Sequence, residues 1–412
     1  MRLLEKLTPL TRTLILLALL ASLLSFAKFD HCRSTGWATP DDYVHACYSD
    51  ISSLFYGRGL NNHQWAYSSA DNAVEYPVLT GVAMWATSWL VPSGPNSTRN
   101  YFDINILLIA LLFIGVLLIV GRIRPQFAYL LPLSPAVIAS LYINWDLWGI
   151  ISMMLAIYYF DRRRLGVSSV LLGVSIATKF FPVLLLLPII FILWRRNELR
   201  SIGKYLFITI TIWLAINLPV MLTTPHGWWR FYKLNLDRQS EWGSIWYAFS
   251  LLGINISHLN YITVLSLLIV LIAMLIYLFE LPLTPQLAQV SFILLAGVLC
   301  VGKVYSPQYV LWLAPLAIIS LRNSRELFGF WVWQAGEAIY HVAIWQHLAL
   351  IGNSRFGLPA GGYAVITLIR VATTLFFITI LVRTSLNNRS PQAPQADKGL
   401  PDFLLGTADS YP

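Results

Sequence analysis

YFDINILLIALLFIGVLLIVGRIRP, residues 101–125, carries no charge between Asp103 and Arg122. A helix near 104–120 reaches the shorter limit of what crosses a hydrocarbon core about 30 Å thick. Arg122 and Arg124 follow at once, and such cations mark the cytoplasmic end of a span. Comparable apolar runs recur along almost the whole chain, so this one stretch sets the reading of all of them: a multi-pass, all-α membrane protein.

Composition agrees. The chain has 412 residues, 57% of them hydrophobic and only 11% charged, against about 25% charged in a soluble domain. The net charge of +9 calls for no nucleic acid, because cytoplasmic loops of membrane proteins collect Lys and Arg. Sixteen Trp and 20 Tyr suit interfacial belts, and equally the walls of a cavity. The first apolar run, Leu14 to Ala27, ends in Ser25-Phe26-Ala27, which looks like a cleavage site; the many later spans favour an uncleaved signal-anchor. No internal repeat stands out. One transmembrane domain is expected over 1–385, and the polar stretch 386–412 reads as a disordered cytoplasmic tail.

Positive charge assigns the sides. Arg2, Lys6 and Arg12 precede the first span, so the N-terminus is expected in the cytoplasm. Arg122/Arg124, Arg162–Arg164, Arg195/Arg196/Arg200/Lys204, Arg322/Arg325 and Arg383/Arg389 then all fall inside if the spans pair up. Spans near 14–27, 104–120, 126–142, 147–160, 166–180, 181–194, 204–222, 259–279, 286–302, 308–321, 328–350 and 362–383 satisfy this. About 12 transmembrane helices follow, with both ends inside. The condition is that the helix from Pro77 to Leu90 does not cross but lies along the outer surface, within a first extracytoplasmic loop over 28–101. The segment Trp242–Leu252 likewise returns to the outer side. Cys32 and Cys47 share that first loop, where either a disulfide or two free thiols fits the sequence.

Ionisable groups from distant parts of the chain then meet on one face. They include Asp50 and Glu75 in the first loop, Asp146 in NWDLW, and Lys179 in ATKFFP. His226 and Arg230 come from PHGWWRFYK, and Lys303 and Gln308 from CVGKVYSPQYVLW at 300–312. Each has a plainer reading. Asp146 fits an interfacial helix cap, Lys179 a snorkelling side chain, and 230–238 an ordinary solvated loop. Arg370, inside the last span, is expected to pair with a neighbouring helix, and Glu337 and His341 to be buried hydrogen-bond partners. The seven histidines show no metal-ligand spacing, so neither a metal nor any other cofactor is expected. GxGxxG, Walker and GxSxG patterns are missing from the sequence. As a set, cations at the headgroup level suit a phosphate, and activated sugars on the outer side of a membrane are typically lipid-linked.

The runs DDYVHACYSDISSLFYGRGL (41–60), EYPVLTG (75–81), INWDLW (143–148), LLGVSIATKFFPVLLLLP (171–188), GKVYSPQYVLWLAPL (302–316) and WQAGE (333–337) add a resemblance. In that order they resemble glycosyltransferase family 87 (DUF2029), membrane enzymes of the GT-C type. Actinobacterial polyprenyl-phosphate-mannose-dependent mannosyltransferases are among them. The resemblance implies a GT-C-like fold with juxtamembrane helices in the first outer loop, an extracytoplasmic active site in a bacterial plasma membrane, and Asp50 at the position of the proposed catalytic Asp. Glu75-Tyr76-Pro77-Val78 stands where those mannosyltransferases carry Tyr-Pro-Pro, which leaves sugar and acceptor open.

The function expected is transfer of a sugar, mannose first, from a polyprenyl-phosphate donor to an envelope glycolipid or glycan. Arabinofuranosyl transfer and a lipid-linked-sugar flippase are the alternatives. Asp50 is the expected general base. Lys179, Lys303, His226 and Arg230 are expected at the donor phosphate. Glu75, Tyr76, Asp146, Tyr305 and Gln308 are expected to contact substrate.

Overall fold

The computed structural model describes residues 7–387. Arg2, Lys6, Arg389 and the tail from 388 onward lie outside the described residues. Regular structure among the described residues is entirely helical. The first elements are α1 (Pro9–Thr35), α2 (Asp41–Val44), α3 (Asp50–Gly57), α4 (Val78–Ser88) and α5 (Ser97–Ile123). Next come α6 (Leu130–Leu133), α7 (Pro135–Ser140), α8 (Asp146–Asp161), α9 (Leu165–Thr178), α10 (Leu186–Arg195) and α11 (Leu199–Thr223). The rest are α12 (Pro225–Asp237), α13 (Ile245–Leu251), α14 (Leu259–Glu280), α15 (Leu287–Val301), α16 (Val310–Ser320), α17 (Ser324–Ile351) and α18 (Ala360–Asn387).

Of these, α1, α5, α11, α14 and α18 are long and apolar enough to cross a membrane. Shorter apolar helices, α9, α10, α15 and α16 among them, accompany those five. The helix expected to lie on the surface, α4, has 11 residues; at about 1.5 Å per residue it is too short to cross. Two expectations change. The run 126–142 is not one rod but α6 and α7, broken where Pro132 and Pro135 remove amide donors. Helix α1 runs on to Thr35, past the expected end at 27. Thr8 caps its start by accepting the Thr11 amide, and Gly36, at φ 100°, ends it in the left-handed region that glycine occupies without penalty.

Burial separates a hub from a lipid face. Every residue of α16 is buried, whereas Tyr261, Val264, Leu265, Leu268 and Ile272 on α14 are exposed. Exposed aliphatic rows of that kind cost nothing against acyl chains, which are as apolar as leucine itself.

The bundle has two chemically distinct ends. At one, Arg124 donates to the Ile319 carbonyl, Arg195 to that of Leu281, Arg163 to Glu198 and Arg322 to Gln289. The turns at 124, 163, 195–198, 281, 319–322 and the start of α15 therefore cluster there. At the other end the segments 36–96, 141–146, 178–182, 224–258 and 302–309 meet. Ser49 reaches the Tyr142 carbonyl, Thr80 that of Thr178, Arg230 that of Ala70, and the Glu241 amide that of Lys303. The turns carrying Arg124, Arg163, Arg195 and Arg322, expected on one side, gather at one end of the bundle.

Candidate active site

The site is built on a docked loop. Ser49 sits in extended conformation and caps α3 by accepting the Ile51 amide, while its hydroxyl donates to the Tyr142 carbonyl at 2.7 Å. The next amide, Asp50 N–H, donates to the Ile143 carbonyl at 2.8 Å. These contacts seat the first outer loop on the turn before α8 and leave the Asp50 carboxylate to the neighbouring side chains. Tyr48 donates to its Oδ1 at 3.0 Å and Tyr76 to its Oδ2 at 2.9 Å. A carboxylate offers about four lone-pair positions, so two tyrosines orient it without exhausting it. Desolvation pushes the Asp50 carboxyl above its ordinary value, against the Tyr76 and Tyr48 hydrogen bonds and the Lys179 charge. A carboxylate raised in this way is a better proton acceptor near neutral pH.

Lys179 caps the end of α9 and turns its ammonium to Asp146 Oδ1 at 2.7 Å. The same nitrogen lies 4.7 Å from the Tyr76 ring centre and 6.0 Å from that of Tyr309. Tyr76 thus stands between the two halves of the cluster, its hydroxyl on Asp50 and its ring under Lys179. Close packing sets this geometry. At Gly149 a Cβ would lie 2.7 Å from the Trp312 ring and 3.4 Å from Lys179 Cβ, so the turn of α8 above Asp146 admits no side chain. Thr80 fixes α4 to the end of α9 through the Thr178 carbonyl at 2.6 Å, which brings Tyr76 to Lys179.

One group is left open. Asp146 is 2% exposed, its Oδ2 has no hydrogen-bond partner, and Asn144 Nδ2 and Trp148 Nε1 nearby in sequence are likewise buried and unpartnered. Buried polar atoms are normally satisfied. The unpartnered Asp146 oxygen, on the carboxylate that holds Lys179, is free to accept a further hydrogen bond.

The remaining expected site residues divide. Glu75 is gripped by Arg58, one of whose nitrogens donates at 2.9 Å, and Arg230 lies 3.9 Å away. This group is one residue from Tyr76, so Arg230 stays near the cluster. His226 is exposed at the start of α12. Lys303 points elsewhere: its ammonium donates to the Arg238 carbonyl at 2.7 Å and to the Asn260 side chain, which ties two loops together. Gln308 is half-buried in the single turn Pro307–Tyr309.

Tyr305 requires a correction. Instead of facing substrate it is fully buried, and its hydroxyl donates to Glu337 Oε1 at 2.8 Å. Arg370 completes this group with two bonds to Glu337 Oε2 and others to the Tyr305 and Ser306 carbonyls. The expected pairing of Arg370 with a neighbouring helix is therefore present. Glu337 and His341 serve separate partners, His341 taking Ser140 and Trp345. The stretch 300–312 still reaches the site, through Tyr309, whose ring stacks on Phe181 and faces Lys179.

Tyr48 and Tyr309 escaped the sequence reading. Tyr48 had a usable signal, since residues two apart on extended backbone point the same way. Cys32 and Cys47 are bridged, with Cα atoms 5.9 Å apart, which fastens the end of α1 just ahead of Tyr48–Asp50. A recess of 340 Å³ lined by Phe191, Trp194, Arg195, Asn197 and Phe279 opens among the basic turns at the opposite end and takes no part.

No family model matches the chain, and no curated protein matches it. Among solved structures, the crystal structure of ArnT from Cupriavidus metallidurans bound to undecaprenyl phosphate is similar. The match has a TM-score of 0.45 and 13% identity, covering 90% of this chain and 77% of that one. A likeness of that degree assigns no residue a role.

Proposed function

We propose that this chain is a plasma-membrane glycosyltransferase of GT-C type. In this reading it moves a sugar, mannose first, from a polyprenyl phosphate to an envelope glycolipid or glycan at the extracytoplasmic face. The observation that carries the reading is the Asp50–Tyr76–Lys179–Asp146 group: a doubly oriented carboxylate, a half-buried ammonium and an unfilled carboxylate oxygen at one end of a multi-span bundle. Sidedness is supported by the arginine turns at the opposite end and by the Cys32–Cys47 bridge, a bond of oxidising compartments.

In the reaction, the acceptor hydroxyl attacks the anomeric carbon while its proton passes to Asp50. The bond from that carbon to the donor phosphate oxygen breaks, and the lipid phosphate leaves with the electron pair. Lys179 has two N–H groups beyond the one on Asp146, and these stabilise the departing charge. One ammonium faces two carboxyls here, so a further cation is needed for a phosphate, and Arg230 and Arg58 around Glu75 supply it. Asp146 positions Lys179 and, through Oδ2, accepts a sugar hydroxyl. Tyr76 holds Asp50 at the right angle.

The test is incubation of purified protein with radiolabelled polyprenyl-phosphate mannose, polyprenyl-phosphate arabinofuranose and a panel of glycolipid acceptors. Label moving from the mannosyl donor to an acceptor is the expected result. Transfer from the arabinofuranosyl donor alone overturns the choice of sugar. Movement of intact lipid-linked sugar across vesicles, with no transfer, overturns the enzyme.

A further inference from the structure

A second constellation lies in the first outer loop, outside the proposed catalytic group. His31 and Thr35 are four residues apart on α1 and share a face, as do Asp41 and His45 across the single turn of α2. The two faces meet. His31 Nε2 lies 2.7 Å from Asp41 Oδ2, and His45 Nδ1 lies 3.0 Å from Asp41 Oδ1. The imidazoles stack with ring centres 3.5 Å apart and planes 24° from parallel. All three ligand atoms fall within 4.8 Å of one another.

We propose that His31, Asp41 and His45 bind one divalent transition-metal ion of the zinc class. Two imidazoles and a carboxylate are a donor set suited to zinc, with bonds of about 2.0–2.2 Å. Tetrahedral donors at those bond lengths stand about 3.4 Å apart, so His31 Nε2 and Asp41 Oδ2 separate slightly, while His45 Nδ1 leaves the Asp41 backbone carbonyl at 3.1 Å and its ring turns out of the stack to face the ion. The Thr35 hydroxyl lies 3.1 Å from the His31 carbonyl and 3.2 Å from Asp41 Oδ2, and donating to the latter is the outer-shell support that orients a ligating carboxylate. The Cys32–Cys47 bridge follows His31 by one residue and His45 by two, so the histidine-bearing segments stay together when the site is empty. Side chains here are 37–43% exposed, which leaves the ion a path from water and a fourth position for a water molecule. Histidine spacing along the sequence gave no hint of this, because a helix end and a single turn bring the three together.

The site braces the lobe that carries Tyr48 and Asp50, and its test does not depend on turnover. Full-length protein in detergent, stripped with chelator, is titrated with Zn²⁺ by calorimetry, and with Co²⁺ by visible absorption. One saturable equivalent is expected, with Co²⁺ ligand-field bands typical of low coordination. His31→Ala and Asp41→Asn are each expected to weaken binding at least tenfold, while His63→Ala leaves it unchanged. Melting of each variant without metal confirms that it is folded. Absence of a saturable equivalent, or affinity unaltered in both His31→Ala and Asp41→Asn, overturns the proposal and leaves a hydrogen-bonded histidine pair.

Discussion

Two clusters in this molecule use the same chemistry, an acid, a cation and tyrosines, in opposite ways. Around Glu337 everything is filled. Tyr305 and Trp333 donate to one carboxylate oxygen, Arg370 donates twice to the other, and both charged side chains are 0–1% exposed. Arg370 also covers the Tyr305 and Tyr340 rings, 3.4 Å and 4.1 Å from their centres. Around Asp50 the account stays open: Asp146 Oδ2 lacks a partner, and the Lys179 side chain keeps 17% exposure. Saturation marks the first as a strut, holding the 303–306 loop to α17 and α18. The second keeps a carboxylate oxygen free to accept a further hydrogen bond, which the proposed function assigns to substrate. Counting charges cannot tell the two apart, but counting their partners can.

That contrast is most sharply challenged in the strut. Removing one partner from a buried ion pair strands the other, at a cost of about 3–5 kcal/mol. Glu337→Ala is therefore expected to lower the melting temperature severely or to prevent purification of folded protein. A variant that melts like the parent would show that the filled cluster bears no load.

Asp50→Asn tests the open cluster next. Asn keeps the shape and loses the base, so transfer is expected to fall at least about a hundredfold with an unchanged melting temperature. Turnover within a few-fold of the parent would remove Asp50 from the base role.

A smaller and more specific effect concerns pH. The raised Asp50 pKa places the acid limb of the rate profile above the ordinary carboxylate range, with activity lost as pH falls and the base protonates. The Tyr76 hydroxyl donates to the ionised carboxylate and so favours it. Tyr76→Phe removes that preference, raises the Asp50 pKa further, and is expected to move the acid limb upward. An acid limb that stays in place, measured as kcat against pH, would uncouple the tyrosine from the base.

The mildest change is expected at Lys303. Its bonds to a loop carbonyl and an asparagine predict that Lys303→Ala costs about 1 kcal/mol of stability and leaves donor KM unchanged. A rise in KM of tenfold or more would return Lys303 to the donor phosphate.

Particular residues show where sequence reading succeeds and where it stops. The short α4 and the gathering of basic turns at one end follow from local length and charge, and both are present. Asp50, Asp146 and Lys179 were singled out from separate motifs, and the structure brings them into one group with Tyr76. Tyr305 was misread because an outer turn with polar residues looks the same whether its tyrosine faces water or folds inward onto an arginine 65 residues away. The run 126–142 was misread because its hydropathy outweighed its prolines.

Taken alone, the sequence determined that the chain spans a membrane many times, which turns share an end, and that carboxylates and cations gather opposite the arginines. Those properties are sums over neighbouring residues, and they survive any arrangement of the helices. Only tertiary structure decided which acid meets which cation, that Cys32 joins Cys47, that Tyr305 is buried, and that His31, Asp41 and His45 converge. A polar group in a bundle takes its role from the partners that packing brings within about 3 Å, and that distance depends on how remote segments dock, which no local window contains.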